Sequence, residues 1–426
     1  TDELMSRPYQ VINTLFNLHL YFQQNSQYDK FDNKNTIEWA KQNQLLTSPD
    51  IWLLSKLQKL IQILTEKNQT CKFHEGAKAI DDFIINNLSQ IYIPITRGEL
   101  WDEDEEKKNR RLSIYAVLSE VLKTLDILIH PFCPFTSEHL YQTVFSGKQS
   151  ILLDKWPSYQ ESLVNEEIEE AFDIMKDVVS ISSAARMKGK LKRRWPLNEA
   201  QICVKKGQKA KLESLSELLQ SQLNVEKFSI IETEKDSGLE QILELKQLGL
   251  PVKGIAELER KRIGPKAKQH MGKLVSTFNE TDPEEIISSL QKESKYDFDI
   301  DGEIISLDSE DFIIDFNASE NFAVAKRDNY IVLISTSRNK EMMARGLVKD
   351  IARRLQTLRK ERGYTPTDVL EVASILELDG ESLEMIKEKA KELAFLVRVK
   401  QVNFTDSCKE YKEEDIDGQK IRISVE

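Results

Sequence analysis

Pro8, Val11, Leu15 and Leu18 recur at helical spacing, and Ile12, Phe16, His19 and Phe22 widen the stripe into one apolar helix face. His19 on that face reads as a packed, hydrogen-bonded histidine. A second helix opens at Thr47-Ser-Pro-Asp-Ile-Trp52, with Ser48 as cap, Pro49 at the first helical position and Asp50 near the positive end of the dipole. Leu53, Leu57, Leu60 and Leu64 carry its buried face. A third helix is predicted from about Phe73 to Ile91, ending in a loop with Arg97 and Trp101. A fourth runs from Arg110 to Ile129, stopped by Pro131 and Pro134. The charged run Asp102–Lys108 reads as a solvated helix entry. Four amphipathic helices with short connections predict an antiparallel bundle over residues 1–163.

Beyond the bundle the period changes. A long helix from about Glu166 (Ile168, Phe172, Met175, Val179) leads to a strand at Ala200–Val204, a helix around Lys211–Leu223 and a second strand at Lys227–Ile231. The same order returns near the end. A helix Glu341–Arg362 is followed by a loop with Pro366, a strand Glu371–Leu376, a helix Glu381–Leu393 and a strand Arg398–Phe404. This predicts a degenerate helix–strand–helix–strand repeat, residues 164–235 and 337–426. Between the copies, 236–336 holds a linker helix region and short alternating apolar runs (Ile304–Leu307, Phe312–Ile314, Phe322–Val324, Tyr330–Ile334) that predict antiparallel strands. The expected fold class is therefore multidomain α plus α/β: a helix bundle, small mixed α/β units and a short-stranded β region.

Charge changes the picture at three places. The chain carries a formal net charge of -11, yet six of the nine residues from Arg186 to Arg194 are basic and none is acidic. Arg186, Lys188, Lys190, Lys192, Arg193 and Arg194, with Trp195 beside them, suit phosphates and an unpaired base; a solvated turn between helix and strand is the alternative. In the second copy Arg345, Lys349, Arg353, Arg359 and Lys360 form a one-signed stripe opposite Met343, Leu347, Ile351, Leu355 and Leu358. That stripe suits a phosphate backbone, or is balanced by acidic residues elsewhere in the fold. Glu257–Lys268 is a third basic segment, whose Gly264-Pro265 reads as a turn and lacks phosphate-loop spacing. Asp297, Asp299, Asp301, Asp308 and Asp311 lack the calcium-loop order and read as solvated turns.

The remaining signals exclude more than they assign. The 426 residues show no apolar run near the roughly 20 needed to span a bilayer. Cys71, Cys133, Cys203 and Cys408 are scattered, which suggests neither a zinc site nor a disulfide framework and fits a reducing cytoplasm. No nucleophile elbow, zinc-protease helix or Walker loop is present, so no catalytic residues and no metal ligands are expected in this segment.

Several segments nonetheless resemble class I aminoacyl-tRNA synthetases, in order along the chain. Arg7-Pro-Tyr9 through Leu15-Phe-Asn-Leu-His-Leu-Tyr21 resembles the opening of their helical anticodon-binding domain, and Asp50-Ile-Trp-Leu-Leu-Ser-Lys-Leu57 its D-x-W-[IL]-L-S-[RK]-L helix. His130-Pro-Phe-Cys-Pro-Phe-Thr-Ser-Glu138 with Tyr141, then Ser150-Ile-Leu-Leu-Asp-Lys-Trp-Pro157, are similar to the segments that follow it. The Arg186–Leu197 block resembles the R-x-x-x-[GK]-[IL]-K-x-R-x-P-L element. Arg345–Lys360 resembles an element of the isoleucyl group, of the type that ends without a zinc knuckle, although Met343 and Ala344 stand where that element usually has Glu nearby.

The resemblance implies the C-terminal, tRNA-binding part of such an enzyme, the corresponding part of a valyl or leucyl enzyme being one alternative and a non-enzymatic protein-interaction module another. The H-I-G-H and K-M-S-K-S signatures are not in this sequence, so the catalytic and editing domains, with ATP and Mg2+, are expected outside it. The resemblance also implies a monomeric, cytoplasmic protein whose partner is an isoleucine-accepting tRNA, without DNA or membrane. The basic block and the stripe are the expected RNA contacts, with Arg97 and Trp101 as weaker candidates.

Overall fold

Asp50 sets the start of a 22-residue helix of the first unit, Ser48–Gln69. In the computed structural model its carboxylate reaches back to the backbone nitrogen (2.8 Å) and hydroxyl (3.0 Å) of Thr47, so Thr47, one residue before the expected Ser48, is the cap. The structure describes residues 2–32, 34–101, 104–145, 149–365, 368–404, 410–416 and 419–426, and the side chains among them except those of 2–5 and 419. Asp102, Pro366 and Cys408, singled out above, lie outside the described residues.

Two units divide the chain, Thr1–Asp173 and Ile174–Glu426. The first is helical: α1 (Asp2–Tyr28), α2 (Ile37–Gln42), α3 (Ser48–Gln69), α4 (Phe73–Asp82), α5 (Ile93–Leu100), α6 (Lys108–Ile129), α7 (Pro134–Val144) and the first residues of α8 (Glu166–Lys188). A π-helical stretch, Phe83–Tyr92, joins α4 to α5, so one continuous rod replaces the shorter helix and loop expected around Arg97. Phe83, Ile84, Leu88 and Tyr92 are buried along it, and that apolar run carries the helix past Ile91. Leu15, Leu18 and Phe22 of α1 and Leu53, Leu57, Leu60 and Leu64 of α3 are buried as their spacing demands. Trp52 stacks on Phe172 with ring centroids 4.7 Å apart. His19 is packed as expected, its Nδ1 2.9 Å from the Leu15 carbonyl and its Nε2 3.1 Å from the Asp126 carboxylate.

The second unit begins within α8. It continues with β1 (Leu197–Lys205), α9 (Lys209–Glu213), α10 (Ser216–Leu223), β2 (Val225–Thr233), α11 (Gly238–Gln247), β3 (Val252–Leu258), α12 (Arg260–Ala267), α13 (Met271–Glu280) and α14 (Pro283–Glu293). Five strands follow: β4 (Lys295–Ile300), β5 (Glu303–Asp308), β6 (Phe312–Ala318), β7 (Phe322–Arg327) and β8 (Tyr330–Ser335). The end of the chain forms α15 (Lys340–Glu361), β9 (Leu370–Leu376), α16 (Gly380–Glu388), α17 (Ala390–Val397), β10 (Val399–Asn403), β11 (Lys412–Ile416) and β12 (Gln419–Val425).

The repeat is longer than its helix–strand–helix–strand signature. One sheet has the order β2-β1-β8-β7 and the other β10-β9-β12-β11. In both, the first two strands pair in parallel, and a C-terminal antiparallel hairpin adds its second strand to the open side of the first strand. Residues 322–335, grouped by sequence with the region 236–336, thus complete the first sheet and cross that expected division. The residues between β2 and β7 are an insertion in the first copy. There β3 pairs with β6 and β4 with β5 over a core of Ile286, Ile287, Leu290 and Phe298. Gly264-Pro265 is not a turn but lies inside α12, where burial of Ile263 and Ala267 offsets the one helical hydrogen bond that proline removes. Of the acidic residues nearby, Asp297, Asp301, Asp308 and Asp311 pair with lysines.

Candidate nucleic-acid interface

The basic block is a helix end, a tight turn and a strand entry. Gly189 and Lys190 donate back to the Ala185 and Met187 carbonyls and Leu191 to Arg186, with Lys190 in the left-handed region at φ 54°. This geometry turns the Arg186 side chain inward. Its guanidinium donates to the carbonyls of Lys192 (3.1 Å), Trp195 (2.8 Å), Leu223 (2.8 Å) and Asn224 (3.1 Å). Arg186 is therefore a buried tie and not a surface contact. Burial, then Arg193 and Arg338, pulls its pKa down to about 10, so it remains a cation at neutral pH.

Trp195 is also buried. Its indole donates to the Asp350 carboxylate at 2.9 Å, and its ring lies on Gly346 of α15, where a Cβ would come within 2.4 Å of Cδ2. It is not open for stacking on a base, because a flat apolar side chain next to a glycine on a neighbouring helix gains more by packing. The guanidinium of Arg338 lies 4.9 Å and the Lys192 ammonium 5.6 Å from the ring centroid.

The stripe on α15 splits in the same way. Arg359 is buried and donates to the carbonyls of Val397, Arg398 (3.1 Å), Thr365 (3.2 Å) and Asp368 (2.6 Å). It repeats Arg186: each arginine lies eleven residues before the leucine that opens its first strand, Leu197 or Leu370. Asn224 and Arg398, whose carbonyls each arginine reaches, share a left-handed backbone (φ 51° and 54°). Arg345 is ion-paired with Glu226, and Lys349 reaches Asn224 Oδ1 at 3.3 Å; burial, then Arg345, lowers the pKa of Lys349. Lys360 and Arg353 remain exposed on α15, and Lys188 and Lys190 are exposed at the end of α8. Arg97 lies on the last turn of α5 with its guanidinium 5.8 Å from the Trp101 ring centroid, in the first unit.

What the fold does bring together is the turn Lys192–Arg194 and the middle of α15. They line a crevice of about 400 Å3 with Arg353 and Arg354, and Asp350 and Asp415 are the carboxylates on its wall. Asp350 holds the turn in place, accepting from Lys192 at 3.1 Å and lying 3.8 Å from Arg194. Arg354 pairs with Glu414 at 3.0 Å and donates to the Asp415 carbonyl at 3.2 Å. Burial, then Arg353, lowers the pKa of Arg194 against the opposing pull of Asp350. Five basic groups facing two carboxylates form an anion-attracting surface. Asp350, Arg354 and Arg338 did not emerge from the sequence reading. Gly346, Asp350 and Arg354 follow one another at four-residue steps, a row that joins a close-packing glycine to a charge pair and was there to be found.

Residues 50–202 match the family described as anticodon-binding domain of tRNA ligase. The anticodon-binding domain so defined runs past the bundle through α8 and includes the basic block and the start of β1. The chain as a whole is related to isoleucine–tRNA ligases. It is 25% identical over 93% of its length to the enzyme of Sulfolobus acidocaldarius, 25% over 97% to that of Clostridium tetani and 28% over 87% to that of Saccharolobus solfataricus. It spans little more than a third of those proteins, 36%, 38% and 36% of their respective lengths.

Proposed function

We propose that this chain is the C-terminal, tRNA-binding portion of an isoleucine–tRNA ligase, and that it positions an isoleucine-accepting tRNA by its anticodon arm. The observation that carries the reading is the crevice joining Lys192, Arg193 and Arg194 to Arg353 and Arg354, in a chain related along most of its length to such ligases. Cations grouped on one surface of an acidic protein hold phosphates and set register, while base edges exposed in a single-stranded loop carry the sequence. Docking of the anticodon arm orients the distant acceptor end, so binding energy serves placement and not chemistry. ATP and Mg2+ belong to the reaction of the whole ligase; no residue here is assigned to them. A monomer in the cytoplasm, with RNA and not DNA as its partner, completes the proposal; no described helix is long and apolar enough to cross a membrane.

Titration of an isoleucine-accepting tRNA and a noncognate tRNA over a salt series tests it. The expected result is tighter binding of the cognate RNA, with affinity falling steeply as salt rises. Absence of binding, or binding without salt dependence, would favour a protein-interaction module.

A further inference from the structure

The crevice between the turn Lys192–Arg194 and α15 has features that a general basic face lacks. Its volume of about 400 Å3 lies within the roughly 300–1,000 Å3 range of pockets that hold one small ligand, too little for a duplex. Its cations come from both copies of the duplicated α/β unit, the turn from the first and α15 from the second. They are not all neutralised. Lys192 and Arg194 share Asp350, and Arg354 has Glu414, whereas Arg193 and Arg353 form no ion pair among the described residues. Like-charged guanidiniums held in one concavity call for an anion between them. The aromatic neighbour that could have read a base, Trp195, is buried against Gly346.

Resting on the tRNA reading above, we propose that this crevice is a phosphodiester site: Arg193, Arg194 and Arg353 close on one backbone phosphate of a single-stranded nucleotide, without reading its base. The bound phosphate bridges the two α/β copies. It fixes the register of the RNA and contributes nothing to the choice among tRNAs.

The experiment measures binding of the 426-residue chain to an isoleucine-accepting tRNA transcript and a noncognate transcript between 50 and 200 mM salt, a range over which phosphate contacts are expected to lose strength. Arg353→Ala is expected to weaken both RNAs by the same factor, roughly tenfold, and to reduce the salt slope by about one. Arg194→Ala with Arg353→Ala is expected to reduce it by about two. Arg353 is exposed on α15, so an unchanged unfolding midpoint verifies the fold, and Arg353→Glu supplies a second variant with a larger loss. Unchanged affinity and slope in these variants, with the wild type still binding, would overturn the phosphate site and leave the tRNA reading intact. A changed ratio between the two tRNAs would also overturn it, since the crevice would then be reading a base. A wild-type chain that binds neither RNA overturns both.

Discussion

Arg186 and Arg359 are each held by four backbone carbonyls, and neither has a carboxylate among those partners. A guanidinium satisfies several carbonyls at the crossing of two loops because its donors lie in one plane. Replacing either by methionine keeps much of the volume and leaves buried acceptors unpaired, at about 1–3 kcal/mol for each group that water cannot reach. Arg186→Met and Arg359→Met are therefore expected to lower the urea midpoint strongly, while any folded fraction binds RNA as the wild type does. Loss of RNA affinity without loss of stability would show that the two arginines do touch the ligand. Gly346 makes the opposite demand. Alanine there meets Trp195 at 2.4 Å, so Gly346→Ala should destabilise by about 1–3 kcal/mol, read as a lower unfolding midpoint. A neutral result would mean that the indole moves aside.

Elements were legible where burial and sequence period agree. The stripe of α3, the short apolar runs of β1 and β8 and the order of the two α/β copies all follow from side chains facing a core. Signals that depend on tertiary partners were not legible. Arg186, Arg359 and Trp195 look like surface chemistry in the sequence, because charge there says nothing about which carbonyls a later loop delivers. The hairpins β7–β8 and β11–β12, which complete the repeat, carry no shared residues strong enough to mark them. Glu169 shows the same dependence on partners. From the first turn of α8 it reaches Lys56 (2.8 Å), Lys59 (3.0 Å) and Ser55, all on α3. Burial pushes its pKa up, but Lys56, Ser55 and Lys59 together bring it below the usual 4.5. A carboxylate depressed in the folded state adds stability above its unfolded pKa and loses it as pH falls through the folded value. Glu169→Gln should thus be less stable than the wild type at pH 7, with the gap closing below about pH 4.5. Urea unfolding at pH 7 and pH 3.5 measures this, and a gap that stays constant would contradict the ion-pair account.

At the scale of the whole molecule, the proposed binding of a polyanion has to work against a net charge of -11. Average charge opposes association, so local excess of cations must supply the attraction within a screening length of about 10 Å at 0.1 M salt. Many lysines cannot contribute, because they already have a carboxylate: Lys206 with Glu234 (2.7 Å), Lys235 with Glu240 (2.6 Å) and Lys295 with Asp297 (2.8 Å). Each is exposed, and each lowers the pKa of its partner acid chiefly through the hydrogen bond it donates. Removing the lysine of such a pair changes the net charge by one unit, as does neutralising Arg193, yet the two changes should differ in effect. Lys206→Ala is expected to leave tRNA affinity and its salt slope within error of the wild type. Arg193→Ala, at a crevice cation with no paired acid among the described residues, should weaken binding several-fold and cut the slope by about one. Measured side by side over the same salt series, equal losses from the two substitutions would show that net charge governs binding. A loss confined to Arg193 assigns the attraction to the place where the two α/β copies meet.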